Sequence, residues 1–172
     1  MSRLALNKPA AEFSYVACAI AETTFAIAIT RVREITQPMR LTTIPEAPPT
    51  LLGAVDHRGE VVPVVDPGVA MSGAVTQGPR RKWVMVRNGD RTLGVVVRQV
   101  FEVFRVRENE IRRSPEMGRV AAYTTLDVVD YERTMAFVLD LDAVARLVNH
   151  PTPGAAAIGA ASAEEGLVRV ER

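Results

Sequence analysis

Leu52-Gly53-Ala54-Val55-Asp56-His57-Arg58-Gly59-Glu60-Val61-Val62-Pro63-Val64-Val65-Asp66 decides how the rest of the chain is read. Two short apolar runs, rich in β-branched residues, flank a polar centre. Such runs bounded by turn residues predict strands, here Leu52–Asp56 and Glu60–Val65, joined at Arg58-Gly59. Upstream, Pro45, Pro48 and Pro49 mark an extended crossover, because proline lacks the N–H that a central strand or helix interior needs. Outward from this hairpin the same pattern recurs. It predicts strands over Glu12–Ile20, Thr24–Ile29, Lys82–Arg87, Thr92–Val97, Glu102–Val106, Ala121–Val128 and Thr134–Leu139. Asn88-Gly89-Asp90 is a hairpin turn, since Asn and Gly tolerate positive φ. The 25 valines push the whole chain toward strand. Helix is minor: a turn or two near Thr30–Gln37 and a better case at Leu141–Leu147.

The chain has 172 residues and a net charge of +1, with 48% hydrophobic and 24% charged residues. That suits one domain or a tight pair, and it excludes disorder for the bulk. Charges interrupt every apolar run before the ~18 residues a membrane span needs, and no secretory leader is expected at the start. Cys18 has no second cysteine to pair with, and two histidines cannot build a His/Cys metal cage, so no metal and no cofactor are expected. The expected location is the cytoplasm. Residues 80–119 carry a net +6, yet Trp83 and Phe101 lack the interleaved aromatic platform of a single-strand binder, so no nucleic-acid partner is expected. Residues 1–9 are expected to be a flexible N-terminus. Pro151-Thr152-Pro153-Gly154 ends the domain, and 151–172, Ala/Gly-rich at first, is expected to be a flexible tail.

Internal repetition organises what lies between. Shifted by 68 residues, Ser14–Ile35 lies over Lys82–Val103 without a gap, with Thr24/Thr92, Val32/Val100 and Glu34/Glu102 identical. At an offset of 74, Val55–Asp66 lies over Val129–Asp140, setting Val64-Val65-Asp66 on Val138-Leu139-Asp140. The expected domain is therefore 10–149, a duplication of about 14–66 and 82–140. Strands without long helices point to two small five-stranded β-barrel subdomains packed side by side, closed so that no edge is left free.

Thr30-Arg31-Val32-Arg33-Glu34-Ile35, then Ile44-Pro45 and Ala47-Pro48-Pro49, then the hairpin from Leu52 to Asp66, resembles the chemotaxis coupling protein (CheW-like) family. The second half follows with Leu93-Gly94-Val95-Val96-Val97 and a last apolar hairpin ending at Asp140. The resemblance covers about 10–149. It implies two SH3-like barrels and a non-catalytic adaptor that links chemoreceptor cytoplasmic tips to the regulatory module of a CheA-type histidine kinase. It also implies self-association in rings, and recruitment to membrane-receptor arrays without membrane insertion. Asp56-His57 departs from the family's usual Asn-Leu, and Pro67-Gly68 from its Leu-Arg.

On the resemblance, the expected partner-binding residues are Val32, Glu34, Gly53, Asp56, His57 and Arg58. Arg58 leads them, because an Arg-Gly turn presents a planar fork of five donors to a carboxylate or to carbonyls; pairing with Asp56 or Glu60 is the internal alternative. Val32 and Glu34, placed on a short helical turn, would face different ways. Gly53 either admits another backbone or relieves a bend. Val61, Val62, Val64 and Val138 are candidates for apolar kinase contacts at the barrel ends. Two other functions stay open: a receptor-binding adaptor or decoy without kinase coupling, and a small barrel enzyme using Asp56 and His57. Catalysis finds little support elsewhere. Pro67 stands where an aspartic protease needs a hydroxyl residue, Cys18 alternates with alanines as a buried thiol does, and no glycine-rich phosphate loop opens a helix.

Overall fold

The longest apolar runs are buried on both faces, which is why they read as continuous and not as alternating. The computed structural model describes residues 10–114, 120 and 122–149. The expected flexible ends, 1–9 and 151–172, lie outside the described residues.

The first half contains β1 (Glu12–Ile20), β2 (Thr23–Ala28), a 3-10 turn (Ile29–Arg31), β3 (Val32–Thr36), β4 (Leu51–His57), β5 (Glu60–Val65) and helix α1 (Pro67–Ser72). The second contains β6 (Lys82–Asn88), β7 (Arg91–Val97), β8 (Gln99–Arg107), a 3-10 turn (Glu108–Glu110), β9 (Arg112–Arg113), β10 (Thr124–Tyr131), β11 (Thr134–Leu139) and helix α2 (Leu141–Arg146). Each strand predicted from sequence is present. The strand expected from Ala121 begins at Thr124.

One sheet runs β8-β1-β2-β11-β10-β9 and the other β3-β6-β7-β5-β4. The two share one strand order. In each, an antiparallel hairpin (β1–β2 or β6–β7) pairs in parallel with the second strand of another hairpin (β10–β11 or β4–β5). The third strand of each half crosses over: β3 pairs with β6 of the second half, and β8 with β1 of the first. Each sheet therefore draws strands from both halves of the chain.

Two expectations are corrected here. The sheets are not closed barrels among the described residues, because their end strands are not hydrogen-bonded to each other. Chain geometry gives the reason. β3 stops two residues before Pro38, and the outer edge of β4 is taken instead by the crossover, where Thr42 and Ala54 exchange N–H to O bonds of 2.8 and 2.9 Å. Second, residues 32–36 form a strand and not a helical turn; only Ile29–Arg31 is helical.

Period-two alternation divides three cores. Val16, Cys18 and Ile20 of β1, Phe25 and Ile27 of β2, and Val84 and Val86 of β6 meet between the sheets. Their neighbours turn the other way: Tyr15, Ala17 and Ala26 pack inside the first sheet, and Trp83 and Met85 inside the second. Alanines let the first interior fit Tyr15 and Tyr131. Cys18 sits fully buried in the middle core, where desolvation pushes its thiol up to about 12, so it is an inert hydrophobe.

α1 has no counterpart among the sequence-based expectations. Its signals are nonetheless local: Asp66 is the N-cap, Pro67 opens the first turn, and Gly73 closes it in the left-handed region. Asp140 caps α2 in the same way, accepting from the N–H groups of Asp142 and Ala143 at 3.0 Å each. The two aligned Val-x-Asp ends are thus both strand-to-helix caps.

Candidate functional site

The curled sheet brings its two end strands together through side chains. β3 and β4 share no backbone bond, yet Oε2 of Glu34 lies 3.1 Å from Nε2 of His57 and 3.0 Å from a guanidinium nitrogen of Arg58. Next to this bridge, Arg33 donates to Thr92 Oγ1 at 2.6 Å and to Glu60 Oε2 at 3.4 Å. Glu60 in turn accepts the Thr92 N–H and hydroxyl, both at 2.8 Å. Hydrogen bonding from the Thr92 hydroxyl, then from its N–H, with help from Arg33 and His57, holds the Glu60 carboxyl below the usual range.

Local sequence explains how these groups are aimed. Arg58-Gly59 is a two-residue loop with φ of 56° and 80° at its two positions, the mirror-image turn whose twist suits a hairpin. Glycine takes that conformation freely, whereas arginine does so at about 1–2 kcal/mol. Asp56 supports the turn, its Oδ1 accepting the Gly59 N–H at 2.9 Å. The register shift between Val32 and Glu34 is a bulge, a device that re-aims side chains. It lets Arg33 and Glu34, adjacent in sequence, both reach the β4–β5 hairpin.

The structure therefore assembles three of the six expected residues, Glu34, His57 and Arg58. Asp56 is a turn cap and not the partner of Arg58, because its carboxylate is engaged with the turn backbone. Val32 packs against the core between the sheets. Gly53 is buried with φ of 147°, and a Cβ there would stand 2.5 Å from the carbonyl oxygen of Thr42, so it admits this chain's own crossover. Of the four valines, Val62, Val64 and Val138 are buried and Val61 is 74% exposed. Arg33 and Thr92 were not among the expected site residues, and Glu60 was named only as an internal partner for Arg58. The identity of Thr92 with Thr24 across the repeat was the available signal.

The cluster lines a cavity of about 230 Å³, with Arg33, Glu34, His57, Arg58, Glu60 and Thr92 around Met85. Asp56 is not among its walls, so the Asp56/His57 pairing that an enzyme reading needs is not assembled there. Nor, among the described residues, do three or more His, Cys, Asp or Glu groups converge as a metal site. The geometry suits exchange of one ion pair for another: two arginines and a histidine, each already facing a carboxylate, at an open rim.

The other sheet repeats the bridge with different charges. Glu102 of β8, aligned with Glu34, hydrogen-bonds Tyr131, aligned with His57. Burial first, then the charges of Glu132 and Glu102, raise the Tyr131 hydroxyl above its ordinary value. The turn beyond it is Glu132-Arg133, again with two positive φ angles. Its exposed apolar neighbour is Met135, aligned with Val61.

Comparison with known proteins gives one consistent result. A family model described as a CheW-like domain matches residues 14–149. The chemotaxis protein CheW of Helicobacter pylori is 27% identical over 103 residues, covering 59% of this chain and 62% of that protein. Protein FrzA of Myxococcus xanthus is 34% identical over 99 residues, covering 57% and 62%. The chemotaxis protein CheW of Rhizobium meliloti is 26% identical over 122 residues, covering 70% and 72%. The chain thus spans 62% of the length of the first two relatives. The crystal structure of the scaffolding protein TtCheW from Thermoanaerobacter tengcongensis superposes with a TM-score of 0.68 at 22% identity, covering 82% of this chain and 90% of that one.

Proposed function

This chain belongs to the CheW-like family, and on that premise we propose that it is a non-catalytic adaptor coupling chemoreceptors to a CheA-type histidine kinase in a chemosensory array. The observation that carries the reading is the family match across 14–149, which takes in the bridged seam, the two hairpin turns and both sheets. The two curled sheets are read as SH3-like subdomains, and 10–149 as the working domain. Relatives named as chemotaxis proteins, and one structure titled a scaffolding protein, support the same reading.

Arg58 is the leading partner contact. Its side chain is 75% exposed at a turn tip and already paired with one carboxylate, so a partner carboxylate is the ligand it is equipped to take. Val61 beside it and Met135 at the aligned position, 74% and 53% exposed, are the apolar contacts proposed for the kinase module or for a further copy in a ring. No helix among the described residues is long and apolar enough to cross a membrane. Cytoplasmic location and recruitment to receptor arrays follow from the adaptor role.

The test is kinase autophosphorylation with purified receptor and kinase, with and without this protein. Stimulation only when all three are present supports coupling. Binding to receptor with no change in kinase activity would make the protein a decoy and overturn the proposal.

A further inference from the structure

Glu34 meets an imidazole and a guanidinium with one oxygen. Oε2 lies 3.1 Å from His57 Nε2 and 3.0 Å from Arg58, and of the two groups only Arg58 is held on a solvent-facing turn. The side chains differ sharply in exposure: 17% for His57, 34% for Glu34 and 75% for Arg58. A guanidinium stays charged at every physiological pH, whereas imidazole is the side chain that gains and loses its charge between pH 5 and 8.

We propose that His57 is a proton-operated release for Arg58: when His57 is protonated it takes over Glu34, and the arginine fork is freed for a partner carboxylate. The inference rests on the adaptor reading of Arg58 and adds its regulation. The electrostatics are local. Around His57 in the cavity stand Glu34 and Arg33 from β3, Arg58 from its own hairpin, and Glu60 from β5; β6 and β7 contribute the uncharged Met85 and Thr92, and Asp56, its neighbour in the chain, lies outside the cavity lining. Asp56 is engaged by the Gly59 N–H, and Glu60 by Thr92 and Arg33, which leaves Glu34 as the carboxylate that His57 and Arg58 share. With His57 neutral, Arg58 is the one full positive charge on Glu34. A proton on His57 places a second cation on the same oxygen, offsets its charge and repels Arg58. Arg58 is the more exposed of the two and loses least by moving into water. The turn supplies a further reason for it to be the one that leaves. Its left-handed backbone is maintained by the Asp56–Gly59 bond and not by the arginine side chain. Lower pH thus favours partner capture, and by linkage a partner that captures Arg58 draws a proton onto His57.

The test uses the free 172-residue chain, labelled with ¹⁵N, and needs no receptor or kinase. The Arg58 Nε–Hε signal, identified by its loss in Arg58→Lys, is followed from pH 8 to 5.5. In the wild type it should move from a held position toward that of Glu34→Gln, which marks the released arginine. In His57→Gln it should stay at the held position throughout. An Arg58 signal that does not move in the wild type, or that moves equally in His57→Gln, overturns the proposal. The decisive comparison is between wild type and His57→Gln, so it stands even if Glu34→Gln fails to fold. A negative result leaves the kinase-coupling experiment unaffected, and the two failures are distinguishable.

Discussion

Glu34 and Arg58 face each other at 3.0 Å across a seam that no backbone hydrogen bond closes. They lie at opposite ends of a five-stranded order, and only the curl of that sheet makes them neighbours. An exposed pair of this kind stabilises a fold by at most about 1 kcal/mol. Its interest lies in what it holds ready.

Arg58→Ala should melt within about 0.5 kcal/mol of the wild type, as surface substitutions usually do. Partner binding should fall by about 2 kcal/mol, roughly thirtyfold, if Arg58 is an interface hot spot. Arg58→Lys should recover little, because ammonium lacks the planar fork. Arg58→Gly should melt no lower than Arg58→Ala, since glycine accepts the φ of 56° without strain. Titration of receptor–kinase complexes alongside thermal melts checks all three. Normal binding by Arg58→Ala would leave Arg58 a solvated turn residue.

Gly53→Ala should destabilise strongly. The new Cβ would meet the Thr42 carbonyl oxygen at 2.5 Å and sit at a φ of 147°. Strain at such a position costs on the order of 1–3 kcal/mol, before the loss of the two Thr42–Ala54 bonds. For a domain of this size that lowers the melting temperature by about 2–4 °C per kcal/mol. Hydrogen exchange at Thr42 and Ala54 should quicken in parallel. Wild-type exchange at both amides would show that the crossover does not need the glycine.

Asp66→Ala should cost about 3 kcal/mol or more in denaturant unfolding. Asp66 is fully buried and accepts from Gly68 N–H at 2.9 Å, Thr76 N–H at 2.6 Å and Thr76 hydroxyl at 2.7 Å, so its loss strands three donors and a helix cap. Burial outweighs those bonds and raises its carboxyl above the ordinary 3.8. A raised acid binds its proton more tightly in the folded state. The stability this adds is complete below the ordinary value and is lost as pH rises through the folded one. Asp66→Asn removes the titration. The wild type's stability relative to that variant should therefore fall as pH rises from about 4 toward neutrality, and a flat difference would contradict the shift.

Removal of residues 155–172 should leave the melting temperature and kinase binding unchanged. The sequence of Ala155–Ala163 has no apolar periodicity, while Leu167-Val168-Arg169-Val170 is the stretch whose composition suits an edge strand. A drop of several degrees on truncation would assign that strand to the fold.

Much of the architecture was legible locally. β1, β5 and β11 match their predicted bounds residue for residue, because valine-rich runs between turn residues leave the backbone little choice. Residues 32–36 misled the reading: Val-Arg-Glu-Ile has no clean period at five residues, and β3 becomes a strand by pairing with β6. α1 carried readable cap signals at Asp66, Pro67 and Gly73, but six residues are too few to show helical periodicity.

The site divides along the same line. Sequence by itself determined the strands other than β3 and β9, the Arg-Gly turn that exposes Arg58, the repeat that aligns Glu34 with Glu102, and the family. It left Arg58 with Asp56 and Glu60 as its nearby carboxylates, since side-chain chemistry names acceptable partners without choosing among them. Tertiary structure decided for Glu34, 24 positions away, and placed His57 on the same oxygen. It also exchanged β3 and β8 between the sheets and left both sheets open among the described residues. Alternation of buried and exposed residues fixes which face a strand turns inward. It carries no information about which sheet the strand joins, because that depends on the free energy of pairings that form only when the whole chain has folded.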